Sequence, residues 1–367
     1  MTAIYTFLGK GGTGRTTAAI AAAQKLADQG NRVLLALQDP SPALETLLGA
    51  SPETDAPTEI AANCHAVRLD ATTLLERSWE EEVKPTEAQY LRTPILERVY
   101  GQELGILPGM DSALALNALR EYNASGRYDI ILYDGPGELA TLRMLGLPET
   151  LSWYVRRTRQ VFFESDLGQA VSPFIQPVTS TVLNVSWSAD ELTQQTSGRT
   201  QNLLEAGKAA IADPQRVAAY LVTSERPEAV ATAQYLWGSA QQVGVSVGGV
   251  LLNQGRASEA LTERFHPLPV SELPACSEGD WQPLIAAMPD LGQAAQAPKP
   301  VTVDMANRQV HLFLPGFDKN QVKLTQYGPE ITIEAGDQRR NLELPPELRG
   351  QPARGAKFNG RYLTVSF

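Results

Sequence analysis

Residues 7–30 read FLGKGGTGRTTAAIAAAQKLADQG, and no other stretch constrains the chain as much. Ile4-Tyr5-Thr6-Phe7-Leu8, just before and into it, is a short apolar, β-prone run that predicts a buried strand. Thr16 to Gln29 is rich in alanine and free of proline and internal glycine, which predicts a helix closed by Gly30. Between them Gly9, Gly11, Gly12 and Gly14 let the backbone turn tightly. The amides of such a turn, Thr13 included, and the positive helix N-terminus can surround phosphate oxygens. Thr16 then presents a hydroxyl to Mg²⁺ and Thr17 one to a phosphate. A strand–helix turn made of small residues for packing alone is the competing account. The full string G-K-G-G-T-G-R-T-T, in strand–turn–helix context, speaks against it.

The string resembles the deviant Walker A loop, K-G-G-x-G-K-T-T, of the MinD/ParA/ArsA-type dimeric ATPases. That resemblance implies ATP and Mg²⁺ as cofactors and a homodimer as the working state. It gives Lys10 the role of the early lysine that reaches the partner subunit's nucleotide. It places Arg15 where a second lysine neutralises β- and γ-phosphate charge. Arginine keeps the charge, but its planar fork is larger and differently aimed than an ammonium. The expectation is that ATP binding survives and that the effect falls on hydrolysis, which depends on positioned charge.

Three further segments place polar residues at strand ends. VLLALQDPSPALETLLG (33–49) is a buried strand running into an Asp-Pro turn at Asp39. YDIILYDGPGELATLRMLGLPETL (128–151) is a strand ending in Asp134, then a Gly-Pro-Gly turn. VGGVLLNQ (247–254) holds a third strand, ending in Asn253. Ligands of open parallel sheets sit at the carboxyl ends of strands, where all three polar residues fall. Together these segments look like the ArsA/guided-entry (tail-anchored protein targeting) branch, over about residues 1–290. Its motifs imply that Asp39 orients the attacking water and sits near Mg²⁺, that Asp134 is the second-switch acid at Mg²⁺, and that Asn253 reads adenine. Asp39 also has a simpler reading as a turn former. The chain departs from the branch at Pro42 and Ala43 after Asp39-Pro40, and at Gly135-Pro136-Gly137-Glu138 after Asp134.

A length of 367 residues allows two domains, and 43% apolar residues suffice for a core without staples. No run of about 18 apolar residues and no basic signal segment occurs, so the expectation is a soluble, cytoplasmic protein. Its net charge of −10 argues against a nucleic-acid partner. Two cysteines, Cys64 and Cys276, form no C-x-x-C, against both a zinc clasp and a three-thiol oxyanion site. Cys64 and His65 are neighbours on a predicted strand and therefore face opposite ways.

Residues 151–215 interrupt the α/β alternation with mixed apolar and polar segments. In the resembled branch a helical subdomain stands here and lines a groove for apolar clients. A helical layer packed on its own sheet explains the composition equally well. Past a Gln/Ala/Pro-rich linker at 291–300, runs such as VTVDMANRQVHLFLPGF and ARGAKFNGRYLTVSF alternate with period two between Gly/Pro turns, which predicts an antiparallel β-sandwich over 301–367. L-P-G-F (314–317) and Ala356, Asn359, Gly360 and Leu363 in its last segment resemble the α-crystallin domain of small heat-shock proteins. A plain stiffening appendage is the alternative.

The expected architecture is thus α/β: a P-loop NTPase with a mainly parallel sheet and a helical subdomain at about 151–215, plus a C-terminal all-β sandwich. The function implied by the resemblance is a homodimeric ATPase that holds hydrophobic helical or unfolded protein clients, with a transient membrane-associated receptor among its partners. An oxyanion-pump subunit and a nucleotide-bound scaffold with little turnover are the rivals.

Overall fold

The computed structural model describes residues 2–38, 43–49, 51–54, 56–78, 109–163, 196–276 and 280–367. Asp39, and 164–195 of the segment expected to form the helical subdomain, lie outside the described residues.

Eight strands build the main sheet: β1 (Ala3–Leu8), β2 (Val33–Leu37), β3 (Thr58–Ala61), β4 (Cys64–Arg68), β5 (Ile130–Asp134), β6 (Val217–Thr223), β7 (Ser246–Asn253) and β8 (Val270–Leu273). Their order is β3-β4-β2-β5-β1-β6-β7-β8, and every pairing is parallel except that of β3 with β4. A parallel sheet needs cover on both faces, and its inner strands are apolar throughout. β2, β5 and β6 are buried along their whole length. Successive side chains go to opposite layers. On β2, Leu34 and Ala36 join a core with α3 (Ala71–Ser78), α4 (Met110–Ala124), α5 (Leu139–Phe163), α6 (Thr196–Ala212), α7 (Pro227–Gln242) and α8 (Glu259–Phe265). Val33, Leu35 and Leu37 face a second core with α1 (Arg15–Asp28), α2 (Ala43–Leu48) and α9 (Gln282–Ala287).

Alanine decides how closely α1 lies on the sheet. Ala18, Ala19, Ala21, Ala22 and Ala23 are buried there, and their small side chains bring the helix axis near the strands. Gly30, with φ of 89°, ends the helix as its sequence predicts. Within 151–215 the described residues 151–163 and 196–212 are helical, in the second half of α5 and in α6.

Residues 291–296 do not form an open tether. They make a 3₁₀ turn whose Leu291 and Ala294 are buried against the main sheet, with Tyr220 donating its hydroxyl hydrogen to the Leu291 carbonyl at 2.6 Å. Composition hid this because only two of the six side chains carry the burial.

The C-terminal strands alternate as expected. β9 (Val301–Asp304), β10 (Gln309–Phe313), β14 (Gly355–Asn359) and β15 (Tyr362–Ser366) form one antiparallel sheet in the order β14-β15-β10-β9. β11 (Val322–Tyr327), β12 (Glu330–Ala335) and β13 (Gln338–Glu343) form another. Val310, Leu312, Leu363 and Val365 of the first meet Ile331, Ile333 and Ala335 of the second in one sandwich core.

The sandwich is docked firmly on α7. Trp237, 1% exposed, packs edge-on against Phe313 with ring centroids 5.6 Å apart, and the Arg361 guanidinium lies 5.4 Å from the Trp237 ring centre. Gly238 is required there, because a Cβ would overlap the Pro315 carbonyl and come within 2.6 Å of Phe317. Around this contact Arg340 reaches Glu149 at 3.4 Å and the Gln241 carbonyl at 3.2 Å, and Trp153 donates to Glu330 at 3.0 Å.

Candidate nucleotide site at the carboxyl ends of the strands

β1 leads directly into the loop. Gly9 donates its N–H to the Gly137 carbonyl at 2.9 Å, and a Cβ at Gly9 would overlap the Val222 carbonyl of β6. The loop is therefore clamped between the ends of β5 and β6, and only glycine fits. Thr13 closes it from within: its N–H and hydroxyl both donate to the Lys10 carbonyl, at 3.2 and 2.8 Å. Gly12 and Gly14 take left-handed φ values of 81° and 92°, which the reversal into α1 demands.

α1 starts with its orphan amides uncommitted to side chains. Gly14 occupies the N-cap with no side-chain cap bond, and the first turn carries no acidic residue. A helix end of this kind attracts an anion through its N–H groups and its dipole. Around Gly11 and Gly12 the space is open, with nothing within 4 Å of a would-be Cβ. Thr16 and Thr17 are half-buried on the first turn. This donor set, with amides for phosphate and a serine-like hydroxyl for a hard cation, fits ATP–Mg²⁺.

Asn253 ends β7 beneath the loop. Its Nδ2 donates to the Thr13 carbonyl at 3.0 Å, and it lies so close to Gly14 that a Cβ there would overlap the amide. Asp134 ends β5 and is 2% exposed, next to β1 in the sheet. Its backbone carbonyl accepts from Gln38 N–H at 3.0 Å, which fixes the end of β2 beside it. Lys10 is half-buried at the front of the loop. It faces the start of α7, where Glu228 is held below its ordinary carboxylate value by its own backbone N–H first, then by Arg226 and Lys10. The structure thus brings Lys10, the loop glycines, Thr13, Arg15, Thr16, Thr17, Asp134 and Asn253 to one edge of the sheet.

Arg15 makes a contact that its sequence does not announce. Its Nη1 donates to the Pro136 carbonyl, and its guanidinium lies over Gly137, where a Cβ would overlap it. Gly137 also has a φ of 71°. The loop arginine and the turn after Asp134 are complementary shapes. Three more residues join this junction. Glu138 Oε1 accepts from Gly11 N–H at 3.4 Å, and Thr141 Oγ1 accepts from Gly137 N–H at 3.0 Å. Tyr133 donates its hydroxyl hydrogen to Gln38 Oε1, and burial pushes the Tyr133 phenol above its ordinary value, helped by Asp134 and Asp111. The only sequence sign of this junction is that positions 15 and 135–138 both depart from the resembled pattern.

Cys64 and His65 point to opposite layers as expected, Cys64 fully buried and His65 half-buried beside Tyr128. Burial pushes the Cys64 thiol up to about 12. Among the described residues no cluster of His, Cys, Asp and Glu has the form of a metal centre, and no helix is long and apolar enough to cross a membrane.

Comparison with known proteins agrees with this geometry. Residues 2–277 match the family of anion-transporting (ArsA) ATPases, and 306–367 match an HSP20-like domain found in ArsA. The chain is 26% identical to a putative arsenical pump-driving ATPase of Chlorobaculum tepidum, over 99% of this chain and 95% of that one. A protein of the same name from Prosthecochloris vibrioformis is similar to the same extent. An ATPase ASNA1 homolog of Cryptosporidium parvum is 29% identical over 39% of this chain and 37% of its own. With the loop, the strand-end residues and the C-terminal sandwich in place, the chain belongs to the ArsA ATPase family and carries that family's HSP20-like domain.

Proposed function

We propose that the chain is a homodimeric, cytoplasmic ATPase that holds hydrophobic helical or unfolded protein segments, as a targeting factor or chaperone. The observation that carries the nucleotide part is the start of α1. Its amides, in a loop clamped by β5 and β6, have neither a side-chain cap nor an acid in the first turn. Gly9, Gly11, Gly12, Thr13, Gly14, Arg15 and Thr17 would hold the phosphates, Thr16 with Asp39 and Asp134 would hold Mg²⁺, and Asn253 would meet the adenine. ATP–Mg²⁺ supplies a phosphoryl group whose transfer to water releases free energy. The protein's part is to position charge around it: Arg15 and Lys10 neutralise phosphate oxygens, Lys10 from the neighbouring subunit, and Asp39 orients the water.

The Arg15–Gly137 contact suits a nucleotide-dependent switch. Arg15 bonds the carbonyl of Pro136 in the turn that follows Asp134, so drawing Arg15 onto phosphate loosens that turn at the start of α5. α5 in turn runs into the 151–215 region assigned to clients. A thiol-based oxyanion site is disfavoured: Cys64 begins β4 at the amino edge of the sheet, whereas Cys276 follows β8 at the carboxyl edge.

Purified full-length chain, assayed for ATP hydrolysis with and without an apolar helical peptide, tests this reading. Measurable hydrolysis whose rate responds to the peptide supports it. Hydrolysis indifferent to every apolar peptide removes the client part, and nucleotide binding without hydrolysis leaves a scaffold.

A further inference from the structure

At the opposite edge of the sheet from the loop lies a cavity of about 300 Å³, between α4, α5, α6 and the amino ends of β1 and β6. That size falls at the lower end of small-molecule sites, roughly 300–1,000 Å³. Its walls are chiefly apolar, with Leu119, Leu145, Leu204 and Ile211 prominent. Its charged lining consists of two arginines, Arg120 and Arg216, with no carboxylate among the described lining residues. In a chain of net charge −10 this is the reverse of the overall balance.

Among the described residues neither arginine has a carboxylate partner. Arg120 Nε and Nη2 both donate to the uncharged Asn117 Oδ1, at 3.1 and 2.6 Å, which uses two of five donors. The backbone of Arg216 is pinned, its N–H to Asp213 and its carbonyl to the amide of Ile4 at 2.7 Å. Its Nε, however, is buried without a hydrogen-bond partner among the described residues. A buried donor of this kind carries a desolvation cost that a bound acceptor removes.

We infer that this cavity is a binding site for a single-chain amphiphile with a carboxylate head, such as a long-chain fatty acid. The chain fills the leucine-lined space, and the head accepts from the forks of Arg120 and Arg216, whose planar geometry matches a carboxylate. A neutral apolar helix segment would fill the space but leave both cations unanswered. The site is independent of the nucleotide reading, because the loop lies at the other end of β1.

Full-length protein, stripped of bound lipid on a hydrophobic resin, is titrated with a dansyl-labelled undecanoate and then challenged with hexadecanoate, hexadecanol, hexadecyl phosphate or an apolar helical peptide. The expected result is displacement by hexadecanoate, about tenfold weaker displacement by the alcohol, and loss of about tenfold for the acid alone in Arg216→Met. Arg216→Met keeps the aliphatic stem and removes the partnerless N–H, so the unliganded protein should melt no lower, while the melting rise caused by hexadecanoate disappears. Ala210→Trp, which fills the cavity, should abolish probe binding with the circular dichroism spectrum unchanged. The inference is overturned if acid and alcohol bind alike and Arg216→Met changes neither, or if hexadecyl phosphate far outbinds the acid. It is equally overturned if only the peptide displaces the probe, or if the probe does not bind.

Discussion

Arg15 and Gly137 each make sense only in view of the other. A residue with a Cβ at 137 would strike the Arg15 guanidinium, and the left-handed φ of 71° there adds a penalty of about 1–2 kcal/mol for any L-residue. Gly137→Ala should therefore lower stability by about that amount and also weaken ATP–Mg²⁺ binding, by pushing Arg15 out of place. If the two act as a unit, the double variant Arg15→Ala/Gly137→Ala should bind no worse than Arg15→Ala alone. Titration calorimetry on the three variants checks this, and additive losses would separate the two residues. Arg15→Lys, in contrast, restores a point charge that does not need the Pro136 carbonyl. It should retain binding and raise turnover relative to the parent chain, whereas Arg15→Ala should lose both. A Lys variant slower than the parent in a phosphate-release assay would show that the arginine fork itself is the working geometry.

At the level of elements, the entrances of β2 and β5 are tied by one exposed but well-formed pair. Arg32 donates from Nε and Nη2 to Asp129 at 3.0 and 2.7 Å, and its backbone N–H donates to the same carboxylate at 2.9 Å. These bonds hold the Asp129 carboxyl well below its ordinary value of 3.8, down to about 2. A depressed folded-state value means stability that is present above the unfolded value and lost as pH falls through the folded one. Because both side chains are about half exposed, the contribution is at most about 1 kcal/mol. Asp129→Asn should thus cost a few tenths to about 1 kcal/mol in urea unfolding at pH 7, a difference that closes as pH drops from about 4 toward 2. A cost that stays constant across that range would point to the backbone bond rather than the charge.

What the sequence disclosed at this scale follows from range. The strand–loop–helix unit at 3–28, the strand ending at Asp134 and the strand ending at Asn253 are each written in a local pattern: glycine spacing, alanine content, an apolar run stopped by a polar residue. The sandwich strands are legible for the same reason, through period-two alternation. Arg15 against Gly137, Glu138 against Gly11 and Tyr220 against Leu291 join positions dozens to more than a hundred residues apart, so no window of sequence holds both partners. The burial of 291–296 was hidden likewise, because its glutamine- and alanine-rich composition is that of a tether and its two anchoring side chains find their partners on distant strands.

The whole molecule behaves as two parts, the main sheet with its helices and the sandwich, fastened through α7. Trp237, Gly238 and Tyr235 on that helix serve the main sheet on one side and the sandwich on the other. Gly238→Leu should break the fastening, since the added atoms meet the Pro315 carbonyl and the Phe317 ring. Calorimetry should then resolve two melting transitions where the parent shows one, and a single unshifted transition would mean that the two parts melt independently of this contact. The apolar and aromatic character of this seam holds the sandwich in a fixed orientation to α5 and α7, the helices that border the nucleotide edge and the 151–215 region.

The central claim is that the loop at the end of β1 hydrolyses ATP as half of a pair, with Lys10 serving the neighbouring subunit. Lys10→Ala and Asp39→Asn chains, each inactive alone, are mixed, and heterodimers are verified by mass spectrometry before ATP turnover is measured. In a heterodimer one site regains both an intact Asp39 and a partner's lysine, so activity should reappear, at up to about half of the parent level per dimer when every molecule is mixed. Heterodimers with no more activity than either variant alone would contradict the account.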